Sequence, residues 1–259
     1  WDGEWWVADE DMFQFPKGVI VGQRNTTCAY GDSVMSVDYD GTNCPSGNGA
    51  VTIGKENAAT GRQSVVLGGY KNTASETYSA VLSGFENTAT GSLSAVLGGS
   101  LNEASGSRST VSGGYLNIAS AMDSVVSGGS YNTAEGQFSA VSAGRSNTAK
   151  GLNSAVSGGK RNKASGKISS VVGGNENIAS GMLTSILGGK LNLATGFHSS
   201  VSGGELNKAK HSFSSVLGGS ENTSSGQWSS ILGGKLNKAS GLHSSNSGGE
   251  SNQATHPHS

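Results

Sequence analysis

The sequence predicts an all-β fold: a parallel β-solenoid of about 16 coils, each about 15 residues long and carrying two short strands. Three observations support this prediction. A 15-residue pattern recurs along most of the chain without an insertion. Within each repeat, two stretches alternate small or apolar residues with variable ones. The composition suits a thin core and not a thick one.

The composition limits the core and excludes several functions. With 42 glycines, 34% hydrophobic and 6% aromatic residues among 259, the chain has too little large apolar material for a conventional globular core. A net charge of −1 with 14% charged residues gives no electrostatic footprint for nucleic acid or an anionic membrane. No run approaches the roughly 18 apolar residues of a membrane span. We therefore predict no nucleic-acid partner and no membrane span.

An asparagine recurs every fifteen residues, at one fixed position of the repeat S-x-V-x-G-G-x-x-N-x-A-x-G-x-x. Stacked inside the solenoid, these residues could satisfy their amides from coil to coil, as buried polar groups require. The alternative is that Asn simply favours the turn after the Gly-Gly corner. The members of this Asn ladder are Asn72, Asn87, Asn102, Asn117, Asn132, Asn147, Asn162, Asn177, Asn192, Asn207, Asn222 and Asn237, followed by Asn252.

The chain divides into three segments. Residues 1–16 hold Trp1, Trp5 and Trp6 and are predicted to cap the solenoid, with a docking peptide as the alternative. Residues 17–63 form divergent coils, one with Val19 and Asn25 and one expanded to about seventeen residues near 32–48. Residues 64–259 form the regular 15-residue-repeat solenoid, in which paired glycines are expected at a corner because they accept positive φ and close backbone approach.

The two cysteines are predicted to form a disulfide. Cys28 and Cys44 are 16 residues apart, so they lie at nearly the same phase of adjacent coils, about 5 Å apart at Cα. A disulfide indicates an oxidising compartment, and hence an extracellular or cell-surface location. Asn25-Thr26-Thr27 is a possible glycosylation site near this bridge.

Two families resemble the repeat. Gly-Ala-Val-Thr-Ile-Gly at 49–54, followed by Asn-Ala-Ala-Thr-Gly at 57–61, resembles the half-repeats of trimeric autotransporter adhesin heads, and the later coils resemble the related haemagglutinin-type β-roll repeats. This resemblance implies a left-handed β-roll, usually trimeric and displayed outside a cell. The half-repeats are also similar to the x-x-N-x-V-x-G units of a grass ice-binding β-roll, which implies a monomer with one flat working face.

The first strand of each coil is predicted to carry the functional face. Its twenty-six outward positions are all Ala, Ser, Thr, Val or Leu, whereas those of the second strand include Glu103, Lys150 and Lys163. A long charge-free strip is expected to be covered by something. The positions of this predicted interface are Val65, Ala80, Ala95, Thr110, Val125, Ala140, Ala155, Ser170, Ser185, Ser200, Ser215, Ser230 and Ser245.

Two functions are consistent with this strip. The favoured one is an extracellular structural or adhesive rod that self-associates as a trimer or fibre, with other structural proteins, a cell-surface ligand or a glycan as further partners. The alternative is ice binding by the same flat Ser/Thr/Ala face, although only Thr110 places threonine on it. We predict no enzyme activity, cofactor or metal site. The histidines lack a recurring acidic partner, and beyond residue 64 the only Asp is Asp123.

Overall fold

The structure, a computed structural model, describes residues 17–259, so the predicted cap with Trp1, Trp5 and Trp6 lies outside the described residues. All regular elements in the described range are β-strands, thirty in number, arranged as two parallel sheets. The prediction of an all-β parallel solenoid of about 16 coils is confirmed.

Sheet A has sixteen strands, all parallel and ordered as in the chain. They are β1 (Gly18–Gly22), β2 (Val34–Asp38), β3 (Val51–Ile53), β5 (Val65–Val66), β7 (Ala80–Val81), β9 (Ala95–Val96), β11 (Thr110–Val111), β13 (Val125–Val126), β15 (Ala140–Val141), β17 (Ala155–Val156), β19 (Ser170–Val171), β21 (Ser185–Ile186), β23 (Ser200–Val201), β25 (Ser215–Val216), β27 (Ser230–Ile231) and β29 (Ser245–Asn246).

Sheet B has fourteen strands, also parallel. They are β4 (Ala58–Ala59), β6 (Thr73–Ala74), β8 (Thr88–Ala89), β10 (Glu103–Ala104), β12 (Ile118–Ala119), β14 (Thr133–Ala134), β16 (Thr148–Ala149), β18 (Lys163–Ala164), β20 (Ile178–Ala179), β22 (Leu193–Ala194), β24 (Lys208–Ala209), β26 (Thr223–Ser224), β28 (Lys238–Ala239) and β30 (Gln253–Ala254). At about 4.8 Å per coil, sixteen coils make a rod roughly 75 Å long.

The strand register follows the repeat. From β5 onward each strand pairs with the residue fifteen positions later, as Val65 does with Ala80. Upstream, Gly18 pairs with Val34 and Met35 with Val51, two steps of sixteen, and Val51 pairs with Val65, a step of fourteen. The expected single coil of about seventeen residues is therefore wrong, because the extra residues are spread over two coils.

Each of the two sheets contributes a single layer of small side chains to the core. Val or Ile from sheet A, such as Val66 and Ile186, faces Ala from sheet B, such as Ala74 and Ala194, and all are fully buried. Buried serines complete the layer, and the Ser79 hydroxyl donates to the carbonyl of Glu76 at 2.7 Å. A core this thin explains how a chain with so few large apolar residues folds.

The corners use glycine more selectively than the sequence predicts. In the Gly-Gly corner the second glycine has positive φ, +88° at Gly99, and a Cβ there would overlap the backbone of Gly114. A Cβ at Gly98, the first of the pair, would meet no atom within 4 Å. The positive φ and close backbone approach expected at this corner therefore belong to the second glycine of each pair. Beside each corner, varied residues such as Lys71 and Tyr78 adopt φ of +57°.

The Asn ladder lies inside the rod and bonds successive coils together. The Nδ2 of Asn72 donates to the carbonyls of Gly68 at 3.0 Å and Gly84 at 2.9 Å, and its Oδ1 accepts the backbone N–H of Asn87 at 2.9 Å. The same three bonds recur along the regular coils, and the asparagines from Asn57 to Asn237 are buried. Each residue thus fastens its own Gly-Gly corner, the next corner and the next asparagine.

The start of the ladder differs from the expected one. Cys28 and Cys44 form the predicted disulfide, with Cα atoms 5.6 Å apart. Asn25 is half-buried beside it and donates Nδ2 to the Thr42 carbonyl at 3.2 Å, so it does not join the ladder. Its glycosylation stays a prediction. The first ladder residue is Asn43, which is buried and accepts the backbone N–H of Asn57 at 2.9 Å.

Asp38 ends the ladder at its N-terminal side. Its buried carboxylate accepts the backbone N–H of Asn43 at 2.6 Å, those of Thr42 and Asp40, and the Thr42 hydroxyl at 3.0 Å. Burial alone would raise the pKa of Asp38. The backbone N–H donors of Asn43, Thr42 and Asp40, together with the Thr42 hydroxyl, outweigh it and hold this pKa below its ordinary value.

This lowered pKa predicts acid sensitivity. The unfolded chain binds the proton more readily, so the stabilisation by Asp38 is complete above the unfolded pKa of about 3.9 and is lost as pH falls below it through the folded pKa. We expect Asp38→Asn to be less stable than wild type at neutral pH and to lose less stability between pH 5 and 2. Thermal unfolding followed by circular dichroism measures this. The exposed carboxylate variant Asp32→Asn should behave like wild type, and identical acid profiles for wild type and Asp38→Asn would contradict the prediction.

Candidate functional site

The outward side of sheet A forms a regular two-row strip, here called the sheet A strip. Because the strands are parallel and in register, neighbours are about 4.8 Å apart along the rod and about 6.6 Å apart along a strand. The first row is the predicted interface, Val65 to Ser245 in steps of fifteen. The second row is Leu67, Leu82, Leu97, Ser112, Ser127, Ser142, Ser157, Val172, Leu187, Ser202, Leu217, Leu232 and Ser247.

Side chains in the strip are short and held in place. First-row residues from Val65 to Ser230 are half-buried between their neighbours, and most of the second row is exposed. No position in either row is charged. The backbone beneath each pair is fixed by parallel strand hydrogen bonds, for example Ser142 N to Val156 O at 3.0 Å. The strip is therefore a rigid array of hydroxyl and methyl groups.

The middle of the strip carries only small side chains. Over four successive coils, from Thr110 to Ser157, the two rows contain Thr, Val, Ala and Ser and no leucine. We call these coils the central window. The second-row residues on either side of it are larger: Leu97 is 43% exposed and Val172 is 49% exposed. The central window is thus the flattest part of sheet A.

Sheet B presents a different surface. Its outward residues include Glu103, Lys163 and Lys208, each followed in its own strand by a buried alanine. Its outward row also carries threonines, which lie outside the strip predicted on the first strand: Thr73, Thr88, Thr133, Thr148 and Thr223. Glu103 and Ile118 interrupt the row, so it does not form a continuous array.

One corner beside sheet B carries a stack of rings. His198, Phe213, Trp228, His243 and His258 occupy the same position of successive coils, with interplanar angles of 9°, 2°, 5° and 7°. The centroids of Phe213 and Trp228 are 3.9 Å apart. The rings cover one another's faces, so mainly their edges are available to a ligand.

Within residues 17–259, no group of three or more His, Cys, Asp or Glu side chains is arranged to hold a metal ion. No helix in this range is long and apolar enough to cross a bilayer.

Comparison with known proteins bears on the choice between the two predicted functions. No curated protein matches the chain. One family model does match, over residues 45–158, and it includes the central window. Nothing in the comparison supports the trimeric autotransporter adhesin assignment. The chain is similar, over residues 45–158, to the family described as grass antifreeze beta roll.

Proposed function

We propose that the protein binds ice through the sheet A strip, with the central window as its most effective part. The observation that carries this proposal is a flat, charge-free strip lying within coils that match an antifreeze β-roll family. A charge-free strip is consistent with both functions, so the absence of charge does not decide between them. The match favours ice over a self-associating adhesive rod.

The chemistry of the strip suits an ordered water surface. Ice is a rigid array of water molecules, so a protein surface binds it best when its own groups are fixed in a repeating array. Ala, Ser, Thr and Val lose little rotamer freedom when they are immobilised. Their hydroxyls hydrogen-bond ordered water, while their methyl groups leave that water undisturbed. The parallel ladder repeats the pattern at about 4.8 Å in every coil.

Sheet B is less suited to this role. A charged side chain holds its own strongly oriented water, which does not fit the lattice of ice. Glu135 and Lys150 stand on sheet B within the matched coils and form an ion pair at 3.7 Å. Long flexible side chains would also be immobilised on binding, at an entropic cost. The face without charges is therefore the better candidate.

We place the protein outside the cell. The Cys28–Cys44 disulfide is typical of oxidising compartments, and an extracellular location is compatible with the antifreeze match. Ice forms first in extracellular water, where such a protein would act. A catalytic role is no part of the proposal.

A lysine placed in the central window tests the proposal. We expect Ala140→Lys to lose most of the thermal hysteresis and ice shaping of the wild-type protein, because the side chain would hold the surface away from the lattice. Thr133→Lys, at a half-buried outward position on sheet B seven residues earlier, is the matched control and should keep its activity. Both variants should show wild-type circular dichroism and melting.

Two results would overturn the proposal. One is a wild-type protein with neither thermal hysteresis nor ice shaping. The other is a stable oligomer in native mass measurement that buries the strip, which would support the self-associating rod instead.

A further inference from the structure

Charge is distributed unevenly along the sequence, although the net charge of the chain is only −1. Residues 145–259 hold eleven of the seventeen Lys and Arg residues and four of the eighteen Asp and Glu, a net charge of +7. Residues 1–144 carry the remainder, a net charge of −8. The net charge of the whole chain is close to zero, but its C-terminal half is strongly basic.

Several of these positive charges lie on one flat surface. Lys163, Lys208 and Lys238 occupy the same outward row of sheet B, and Lys210 stands two residues beyond Lys208 in the second row. The alanine that follows each row residue is buried, so the lysines point outward. We call the outward side of sheet B from Lys163 to Ser240 the basic face. It contains no Asp or Glu.

The lysines of the basic face are not neutralised by the described residues. In the N-terminal half, Lys17, Lys55 and Lys71 each lie within 4.0 Å of a carboxylate. Across residues 17–259, no carboxylate lies that close to Lys163, Lys208, Lys210 or Lys238. Three of the four acidic residues of the C-terminal half pair with other cations: Glu176 with Arg161, Glu205 with Lys190 and Glu250 with Lys235.

The lysines are close enough to act together. Lys208 and Lys238 are two coils apart, about 10 Å, and Lys163 and Lys208 are three coils apart, about 14 Å. The first separation is close to the Debye length of about 8 Å in physiological salt, so the potentials of Lys208 and Lys238 overlap, whereas Lys163 is largely screened from them. The positive potential of the basic face is therefore strongest from Lys208 to Lys238.

We propose that the basic face binds an extended polyanion, specifically an acidic polysaccharide whose carboxylates recur along its chain. A linear glycan can lie along a straight row of ammonium groups. Hydroxyls of Ser165, Thr195 and Ser225 stand between the lysines to bond sugar hydroxyls. Ile178 and Leu193 offer aliphatic contact for the C–H faces of the rings.

Nucleic acid fits this surface less well. Single-stranded binding usually relies on aromatic faces on which bases stack. The nearest aromatic column has its rings stacked on one another, with Phe213 and Trp228 centroids 3.9 Å apart. A nucleic-acid duplex is cylindrical, so it would contact the flat sheet only along a narrow line. The polysaccharide also reaches the protein on the sheet opposite the proposed ice-binding strip, so both ligands could be bound at once.

Titration with alginate, a linear polyuronate, tests the proposal. We expect the full chain to bind alginate fragments, to bind them more weakly as NaCl is raised, and not to bind neutral dextran. Lys163→Gln/Lys208→Gln/Lys238→Gln should bind roughly a hundredfold more weakly, because each lysine near an anionic surface contributes about a factor of five. Lys17→Gln/Lys55→Gln/Lys71→Gln carries the same net charge and should bind like wild type.

Several outcomes would overturn the proposal. These are no binding of alginate by wild type, equal losses in the two triple variants, or tighter binding of single-stranded DNA than of alginate. Thermal melting of both variants shows whether they remain folded. Ice shaping by the same samples is independent of this result, so failure of polysaccharide binding is distinguishable from failure of the ice-binding proposal.

Discussion

Replacing Asn147 with alanine is expected to destabilise the rod by about 2–6 kcal/mol, since two buried hydrogen-bonding groups lose their only partner at about 1–3 kcal/mol each. Asn147 is buried and donates to the carbonyls of Ala143 and Gly159, both at 3.0 Å. It also accepts the backbone N–H of Asn162 at 2.9 Å. The Gly159 carbonyl still accepts the backbone N–H of Arg145 at 2.9 Å, whereas the Ala143 carbonyl and the Asn162 N–H lose their partner.

Two other asparagine variants serve as controls, because neither side chain makes the three hydrogen bonds of the buried ladder. Asn175→Ala removes an amide whose Oδ1 has no hydrogen-bond partner among the described residues, and should cost less than about 0.5 kcal/mol. Asn252→Ala removes an exposed ladder residue whose side chain donates only to Gly248, at 2.8 Å, and should fall between the two. Urea unfolding followed by circular dichroism gives the three values. Equal losses at all three sites would refute a role for the internal ladder.

Gly159→Ala is expected to destabilise the rod by more than about 3 kcal/mol, whereas Gly158→Ala should change stability by about 0.5 kcal/mol or less. Gly159 has φ of +85°, and a Cβ there would overlap the carbonyl oxygen of Gly174 and lie 2.5 Å from Nδ2 of Asn162. The backbone of the next coil cannot withdraw without breaking the ladder. At Gly158 a Cβ would meet no atom within 4 Å.

The two variants carry the same substitution at adjacent positions, so each serves as a control for the other. Their melting temperatures, measured on the same scan, should differ by several degrees for a change of this size. A destabilised Gly158→Ala together with an unaffected Gly159→Ala would show that the corner is built differently.

Much of the fold follows from the repeat because few choices are left open. Once Val66 and Ala74 are assigned to the interior by alternation, the 15-residue period brings the same residues inward in every coil. Counting then gives the register from Val65 onward. The divergent coils were harder, because two steps of sixteen and one of fourteen leave no constant interval to count.

Other features carry no signal in the sequence. Residues with left-handed φ beside the corners include Leu93, Arg108 and Glu176, types that do not mark this conformation. Hydrogen bonds between coils hold them there, such as Arg108 N to Ser92 O at 2.8 Å. Asp38 was also missed, because its role depends on where the first asparagine of the ladder lies. The function of the strip was open because a covered interface and an ice-binding face both require a charge-free surface.

The thin core also determines how such a protein changes size. Each described strand contacts only strands of its own coil and of the two adjacent coils. Adding or removing one whole repeat would therefore join surfaces that already match, and the remainder of the rod would be unchanged. A globular protein cannot enlarge its working surface in this way without redesigning its interior. Here the area of the sheet A strip is set by the number of repeats alone, so tandem duplication would change the strength of the proposed ice binding in equal increments.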